Sequence, residues 1–425
     1  MEEEKIVAYV GIDWADRKHD IAVKGSQDSE IKNKVINHSA EGIEAWVVAF
    51  RKQYPTGHIA VCLEQSRGAL IYALMKYEGF ILYPINGSTL AKYREAFRPN
   101  RGKDDPSDAN FLLDIVLNHR DKLRVWVCDE ENIRKLRYLV EFRRKVVAER
   151  TRISNKLTAY LKSYFPQVLE WFSDIKTYLV CDFIEKYSTL ELLQAATDEE
   201  LLIFFQQHKS RRLKKNQERI EQIRVAVPLV TDRAVIESTA LIVKALVVQM
   251  RALLESVSSF DTEIEDLYKS YKKDAEIFAS FPGAGEQLAP RMLAAFGVER
   301  SRFETAQQAS QFFGIAPLIE SSGKQHWVRW RYFCPKFLRQ TFHEFANESI
   351  KFSFWAKAAY RELKSKGKSH HVAIRALAFK WLRIIWKCWQ DKVPYSEVKY
   401  LNCLKKKQSP LLTNYVNNGR LAVDS

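Results

Sequence analysis

Apolar and polar positions divide the chain into regions of different periodicity. From residue 5 to about residue 125, short apolar runs alternate with turn-like and helix-like segments. The strand-like runs are Ile6–Ile12, Asp20–Val23, Ile31–Asn37, Ile59–Leu63 and Phe80–Ile85. The first run lacks polar alternation, which is typical of a strand buried on both faces. Three strands followed by strands that alternate with helices predict an α/β region, a mixed sheet covered by helices.

Two helix faces lie between these strands. One contains Ile43, Trp46, Val47 and Phe50, and the other contains Leu70, Leu74 and Tyr77. Gly79 follows the second face and is predicted to be its C-cap, because glycine accepts the left-handed backbone at a helix end.

The next region, from about 130 to 275, has the seven-residue repeats of long helices. Leu139, Val146, Ile153 and Tyr160 form one repeat. A stronger double repeat consists of Val243, Met250, Val257, Ile264 and Tyr271 with Leu246, Leu253, Phe260 and Leu267. This sustained seam predicts a coiled coil, and we expect it to pack against a helix of a second subunit. The basic stretch Lys209–Arg224 fits a solvated helix face and a nucleic-acid contact equally well.

The last region is helical, with aromatic and basic residues interleaved. Phe281-Pro282-Gly283-Ala284-Gly285 predicts a tight turn between two helices, and the chain after Lys405-Lys406-Lys407 becomes polar. The predicted domains are therefore 1–125 (α/β), 126–275 (helical coiled coil), 276–400 (helical) and a polar tail, 401–425.

Composition and charge narrow the class of protein. A chain of 425 residues is too long for one typical core. The net charge of +15 favours nucleic acid or an anionic membrane surface as partner. The sequence has no apolar run long enough to span a membrane, and its acidic start is unlike a signal peptide. The 6 cysteines form no C-x-x-C pair, so they indicate neither a zinc site nor a disulfide framework, which fits a reducing cytoplasm.

Four carboxylates carry the strongest chemical signal. Asp13 and Glu64 each end an apolar run, and Asp105 and Asp108 are spaced to share one face of a helix that begins near Pro106. An acid at the end of a buried strand is costly unless it is paired. Each acid alone has an ordinary explanation as a cap or turn residue, but together they predict a divalent-metal site for phosphodiester chemistry. Asp16, Asp20 and Asp104 are competing acids outside this pattern.

A second group of motifs lies near the other end of the chain. It consists of Gly314-Ile315-Ala316-Pro317, Glu320-Ser321-Ser322-Gly323-Lys324 and Cys334-Pro335-Lys336-Phe337-Leu338-Arg339-Gln340. The acidic motifs are Gly11-Ile12-Asp13, Leu63-Glu64 and Lys103-x-Asp105-x-x-Asp108-Ala109. Together these motifs resemble the DEDD insertion-sequence transposases. The N-terminal domain of that family is related to the RuvC resolvases, with a ribonuclease-H-like sheet.

The resemblance implies a mechanism and a set of partners. Asp13, Glu64, Asp105 and Asp108 would bind Mg²⁺, with Mn²⁺ as the alternative ion. Ser322 would attack a DNA phosphate, with Ser321 as the adjacent alternative. Donor DNA, target DNA and a structured guide RNA from the same element would be partners of a dimer or tetramer joined by the coiled coil. Such a protein works in the bacterial cytoplasm, at the nucleoid. No histidine stands at a telling distance from Ser322, so we expect the metal site to support its reactivity.

Several residues are predicted to contact nucleic acid. They are Gly283, Gly285, Lys324, Arg329, Arg331, Lys336 and Arg339. The two glycines belong to a turn that resembles the helix-hairpin-helix element of the family. The cations alternate with Trp327, Trp330, Tyr332 and Phe333, a mixture that suits phosphate pairing and base stacking. An apolar core with a solvated basic face would give the same pattern.

Two other classes of function fit part of the sequence. A RuvC-like junction-resolving endonuclease needs the four acids but not the serine loop. A non-catalytic nucleic-acid scaffold needs only charge and a coiled coil. An actin-like sugar kinase shares the strand-end aspartate, but the later glycine-rich phosphate loops of that class are missing from this sequence.

Overall fold

The computed structural model describes residues 5–64, 67–97, 105–208, 210, 213–323, 325–332 and 334–409, without the side chains of residues 105, 106 and 326. The chain forms two compact units, Met1–Cys128 and Asp129–Ser425.

The first unit is built on a mixed sheet. Its described strands are β1 (Ile6–Asp13), β2 (Lys18–Gly25), β3 (Lys32–Asn37), β4 (His58–Leu63) and β5 (Phe80–Pro84). They lie in the order β3-β2-β1-β4-β5. The first three are antiparallel neighbours, whereas β4 is parallel to both β1 and β5. The predicted mixed sheet is confirmed.

Helices cover both faces of this sheet. They are α1 (Ala40–Gln53), α2 (Ala69–Leu74), α3 (Gly87–Phe97) and α4 (Asp105–Asn118). The buried residues of α1 are Ile43, Trp46, Val47 and Phe50, as predicted. The prediction for Gly79 is wrong, because α2 ends earlier, with Met75 as its C-cap. Gly79, at φ +76°, lies just before β5 instead.

The second unit is mostly helical. Its elements are α5 (Glu131–Tyr164), α6 (Gln167–Trp171), α7 (Tyr178–Lys186), α8 (Leu190–Ala195), α9 (Asp198–Gln207), α10 (Leu213–Val225), α11 (Arg233–Ser270), α12 (Lys272–Ala279), α13 (Gly285–Phe296), α14 (Ala306–Phe312), β6 (Leu318–Ser322), β7 (Gln325–Arg329), α15 (Lys336–Phe352), α16 (Phe354–Ser365), α17 (His370–Asp391) and α18 (Glu397–Lys406).

The predicted seam is the buried face of α11. Val243, Met250, Val257 and Ile264 are all buried there. Their partner is α5 of the same chain, which runs antiparallel to α11 and contributes to the same two apolar clusters. These four side chains are thus covered within one chain, whereas Leu253, Phe260 and Leu267 of the second repeat are half-buried. The expected contact with a second subunit stays a prediction.

The weaker seven-residue repeat lies on α5, and most of the basic stretch lies on α10. On α5, Ile153 is buried but Tyr160 is 41% exposed, because a straight helix rotates relative to a strict seven-residue repeat. In α10, Arg219 is buried, donates from Nη2 to the carbonyl of Trp171 at 2.9 Å and stacks on Phe172. This arginine therefore belongs to the core.

Candidate functional site

Two of the predicted acids lie at the ends of neighbouring parallel strands that are in register. Ile12 of β1 is level with Leu63 of β4, so Asp13 and Glu64 are the next residues at the same edge of the sheet. Neighbouring strands lie about 4.8 Å apart. Because alternate residues share a face, Asp13 follows Gly11 and Glu64 follows Cys62 on the face that α4 covers.

Glycine at position 11 allows α4 to lie directly on β1. A Cβ at Gly11 would lie 2.1 Å from the carbonyl oxygen of Ala109 and 2.3 Å from the amide nitrogen of Leu113. No side chain fits into that space. Because Asp108 directly precedes Ala109, this close approach brings the start of α4 to the strand that ends in Asp13.

The carboxylates of Asp108 and Glu64 have different surroundings. Asp108 is only 2% exposed, and its Oδ1 lies 2.8 Å from Nε of Arg94 on α3 in an ion pair. A buried carboxylate needs such a counter-charge. Glu64 lies against the first residue of α3, since a Cβ at Gly87 would be 2.3 Å from its Oε1. The structure thus gathers these acids around one edge of the sheet, with α3 and α4 above them.

This donor set is suited to a hard divalent cation. Carboxylate oxygens are the ligands that Mg²⁺ prefers, and the strand register sets two of them side by side. Among the described side chains, however, no three of His, Cys, Asp or Glu converge on a point that could hold an ion. The side chain of Asp105 lies outside the described residues, so the four-acid site stays a prediction.

Sequence reasoning did not assign Asp20 or Arg94 to this site. Asp20, only 7% exposed, lies directly opposite Asp13 in the β1–β2 pairing. The register of that antiparallel pair would have revealed it. Nothing in the sequence indicates that Arg94 pairs with Asp108.

A histidine pair stabilises the loop that follows Asp13. The backbone N–H of Ala15 donates to Nδ1 of His19 at 3.4 Å, and Nε2 of His19 lies 3.0 Å from Nδ1 of His38. Burial, with the neighbouring His38, lowers the pKa of His19 to about 4. His19 is therefore neutral near pH 7, and its acceptor nitrogen holds the loop in place.

The second predicted site residue lies at the tip of a hairpin. β6 and β7 pair so that Ser322 faces Gln325, with Gly323 and Lys324 between them. Gly323 has φ +55°, and such backbone at a two-residue turn favours glycine. Ser322 is exposed. Its hydroxyl is therefore accessible to a large substrate.

The predicted nucleic-acid residues do not form one group. Arg339 donates from Nη1 to the carbonyl of Arg331 at 2.9 Å, so these two come together. Arg329 instead pairs with Glu320, at 2.8 Å. Lys336 is exposed, and Lys324 lies outside the described residues.

The two turn glycines differ in their surroundings. A Cβ at Gly283 would lie 3.1 Å from the backbone of Glu348, whereas a Cβ at Gly285 would have no neighbour within 4 Å. The turn between α12 and α13 is confirmed, and of the two glycines only Gly285 has open space beside it.

No helix among the described residues combines the length and apolar character needed to cross a membrane.

Comparison with known proteins places these features in a family. Residues 10–166 match the DEDD transposase model of the IS110 family, described as a transposase. Residues 275–361 match a second model, described as the transposase IS116/IS110/IS902 family. The first match contains all four acids and the second contains Ser322.

Three relatives that match this chain over most of their length also belong to insertion elements. A Streptomyces coelicolor protein named as a transposase for the IS117 mini-circle is 26% identical, over 93% of this chain and 97% of its own length. An uncharacterized 44.8 kDa protein of insertion element IS116 from Streptomyces clavuligerus is 24% identical, over 90% and 95%. An uncharacterized 42 kDa protein of insertion element IS900 from Mycobacterium paratuberculosis is 25% identical, over 79% and 83%. The chain belongs to the IS110 family of insertion-sequence transposases.

Proposed function

We propose that this protein is an RNA-guided DNA recombinase that moves an insertion sequence, using metal-binding carboxylates and a serine nucleophile. The observation that carries the proposal is the register of β1 and β4, which makes Asp13 and Glu64 neighbours beneath α4. Two strand-end acids under a helix that contributes Asp108 suit a site for phosphodiester chemistry.

The carboxylate residues would hold the ions. Asp13, Glu64, Asp105 and Asp108 would bind Mg²⁺, which supplies Lewis-acid activation of a phosphate when bound. To bind an ion, Asp108 would give up its ion pair with Arg94. Arg94 would remain beside it as a cation able to accompany a phosphate.

Ser322 would perform the covalent step. Its Oγ forms a bond to phosphorus while one phosphorus–oxygen bond of the DNA breaks. The released DNA oxygen takes up a proton, and the serine proton is lost. The bond energy is kept in the serine–phosphate link, so the reverse reaction can seal a different strand without ATP. The exposed hairpin tip and the left-handed Gly323 support this role, because they leave room for a phosphate at the backbone.

The experiment that tests the proposal compares single variants on DNA containing the ends of the element. Ser322→Ala should lose both strand exchange and the protein–DNA adduct on denaturing gels. Ser321→Ala, the matched control, should retain most of both. Asp13→Ala and chelation of divalent ions should stop cleavage without unfolding the protein.

Other outcomes identify the alternatives. If the adduct persists in Ser322→Ala and is lost in Ser321→Ala, the nucleophile is Ser321. If both serine variants cut DNA normally and Asp13→Ala does not, the protein is a metal-dependent endonuclease of the junction-resolving kind. DNA binding without any cleavage by the wild-type protein would favour a scaffold.

A further inference from the structure

Trp330, which directly follows the serine hairpin, is enclosed by two guanidinium groups. Cζ of Arg339 on α15 lies 4.6 Å from the centroid of its ring, and Cζ of Arg375 on α17 lies 4.5 Å away. His343, also on α15, meets the ring edge-on at 5.1 Å. Cation–π contact stabilises each arginine against the ring. The end of β7 is thus attached to α15 and α17 through one aromatic side chain.

The arginines around Trp330 have no acidic partner among the described residues. Arg331, Arg339 and Arg375 form no ion pair there, although Arg291, Arg300 and Arg302 of the same unit each pair with a carboxylate. Arg339 instead donates to the carbonyl of Arg331. The guanidinium groups of Arg339 and Arg375, both held against Trp330, repel each other, and an anion would relieve the repulsion.

The positive charge of these arginines influences the pKa values of two neighbouring groups, His343 and Cys334. Burial first, and then the nearby Arg375, Arg339 and His371, lower the pKa of His343 to about 4. Burial also raises the pKa of Cys334, while Arg339, Arg331 and Lys336 oppose that rise. The carboxylate that acts on His343, Glu344, is already bound by Arg144, Arg291 and Gln340.

Buried nitrogen atoms without a partner, among them a guanidinium donor, point to a ligand with acceptor oxygens. Within the described part of the chain, Nε of Arg331 and Nε2 of His343 are buried without a hydrogen-bond partner. A buried donor without an acceptor costs free energy, about 1–3 kcal/mol in typical cases. A phosphate offers several acceptor oxygens together with negative charge, and guanidinium groups suit its geometry.

We infer that Arg331, Arg339 and Arg375 form a phosphate site around Trp330 that holds the backbone of the DNA strand acted on at Ser322. This inference rests on the proposed function, because it takes DNA as the substrate. Two guanidinium groups already lie against the Trp330 ring, so we assign the site to a phosphate and not to a base. Sequence reasoning assigned Arg331 and Arg339 to nucleic acid but missed Arg375, which lies outside both family matches.

The hairpin sets the spacing between this site and Ser322. Ser322 is level with Gln325, and Trp330 follows five residues later, which corresponds to about 17 Å of extended chain. Duplex DNA rises 3.4 Å per base pair along its axis while the strand winds around that axis, so the phosphate held here would lie a few nucleotides from the attacked phosphate.

The test is the salt dependence of DNA binding by the full-length protein, measured by anisotropy with a labelled duplex. Arg375→Gln should reduce the slope of log K against log salt by about 0.9, the value for one phosphate contact. Arg383→Gln, an exposed arginine farther along α17, should leave the slope unchanged. Arg375→Lys keeps the charge and should restore most of the slope. Equal slopes for Arg375→Gln and Arg383→Gln, or no restoration by lysine, would overturn the inference.

Two further measurements separate the source of the phosphate and the proposed function. Single methylphosphonate substitutions, scanned along the duplex, should weaken wild-type binding near the expected position and have no effect there on Arg375→Gln. If inorganic phosphate raises the melting temperature of the wild type but not of Arg375→Gln, while no methylphosphonate position matters, the site takes only free anions and the inference fails. Ser322→Ala should keep the wild-type slope, so a failure of the serine assignment appears in the adduct assay alone.

Discussion

At the scale of single residues, the geometry of the candidate metal site depends on Gly11, whose lack of a side chain lets α4 approach β1. Asp13, Glu64 and Asp108 would supply the chemistry, and Gly11 supplies the space in which α4 lies on β1. A carboxylate at a strand end is useful only if the helix that carries its partner comes close. Gly11 therefore positions the acids without touching a substrate.

Gly11→Ala should displace α4 from the sheet. The added methyl would lie at 2.1 Å from the carbonyl of Ala109, far inside contact distance. Overpacking of this kind lowers the free energy of unfolding by about 1–3 kcal/mol. Calorimetry should show a lower melting temperature for the first unit, and Mg²⁺ should stabilise the variant less than the wild type. A variant with unchanged melting temperature and full stabilisation by Mg²⁺ would show that the close approach is unnecessary.

At the scale of secondary-structure elements, the pairing of α5 with α11 organises the second unit. Their shared apolar side chains extend from the cluster around Leu157 to the cluster around Leu136. Outside these clusters, Arg143 on α5 donates from Nη2 to Asp261 on α11 at 3.0 Å. The seam is therefore an intramolecular support for the helices that carry the serine hairpin.

Met250→Asp should destabilise the second unit, whereas Val248→Asp should leave its stability unchanged. Met250 is fully buried, so an aspartate there places a charge in the core at a cost on the order of several kcal/mol. Val248, two residues away, is 62% exposed. We expect Met250→Asp to unfold the second unit in circular dichroism melts, whereas Val248→Asp melts like the wild type. If Met250→Asp keeps its fold and only changes the mass found by light scattering, the seam joins subunits after all.

Periodicity predicted the elements well but could not predict their partners. The continuous apolar run before Asp13 identified β1, and the spacing of Val243 to Ile264 identified the buried face of α11. A seven-residue seam looks the same whether the covering helix belongs to the same chain or to another. For this reason the seam could predict a packed helix, which is confirmed, but not which chain the covering helix belongs to.

In the candidate site, too, the sequence predicted individual residues better than the contacts between separate elements. The sequence set Asp13 and Glu64 at the ends of two strands, and the parallel register of β1 and β4 in the structure makes them neighbours. Arg94 and Arg375 could not be found in this way. Each is one basic residue within an ordinary helix pattern, and each acquires its partner only when separate elements pack together.

At the scale of the whole molecule, a net charge of +15 on two compact units raises the question of how the protein distinguishes one nucleic acid from another. Charge alone binds RNA and DNA without regard to sequence, and such binding weakens steeply with salt. Recognition by guide pairing differs, because a structured RNA contributes the sequence information and the protein recognises its shape.

The guide-RNA proposal therefore predicts what should purify with the protein from cells that carry the complete element. After a high-salt wash, one RNA species encoded next to the transposase gene should remain bound. Its unpaired segments should be complementary to the DNA on either side of the insertion site. The retained RNA is identified by sequencing. The matched control is the same preparation from cells that carry the gene without its flanking DNA. A retained population that mirrors total cellular RNA, equal in both preparations, would show charge-driven binding only and would contradict guidance by RNA.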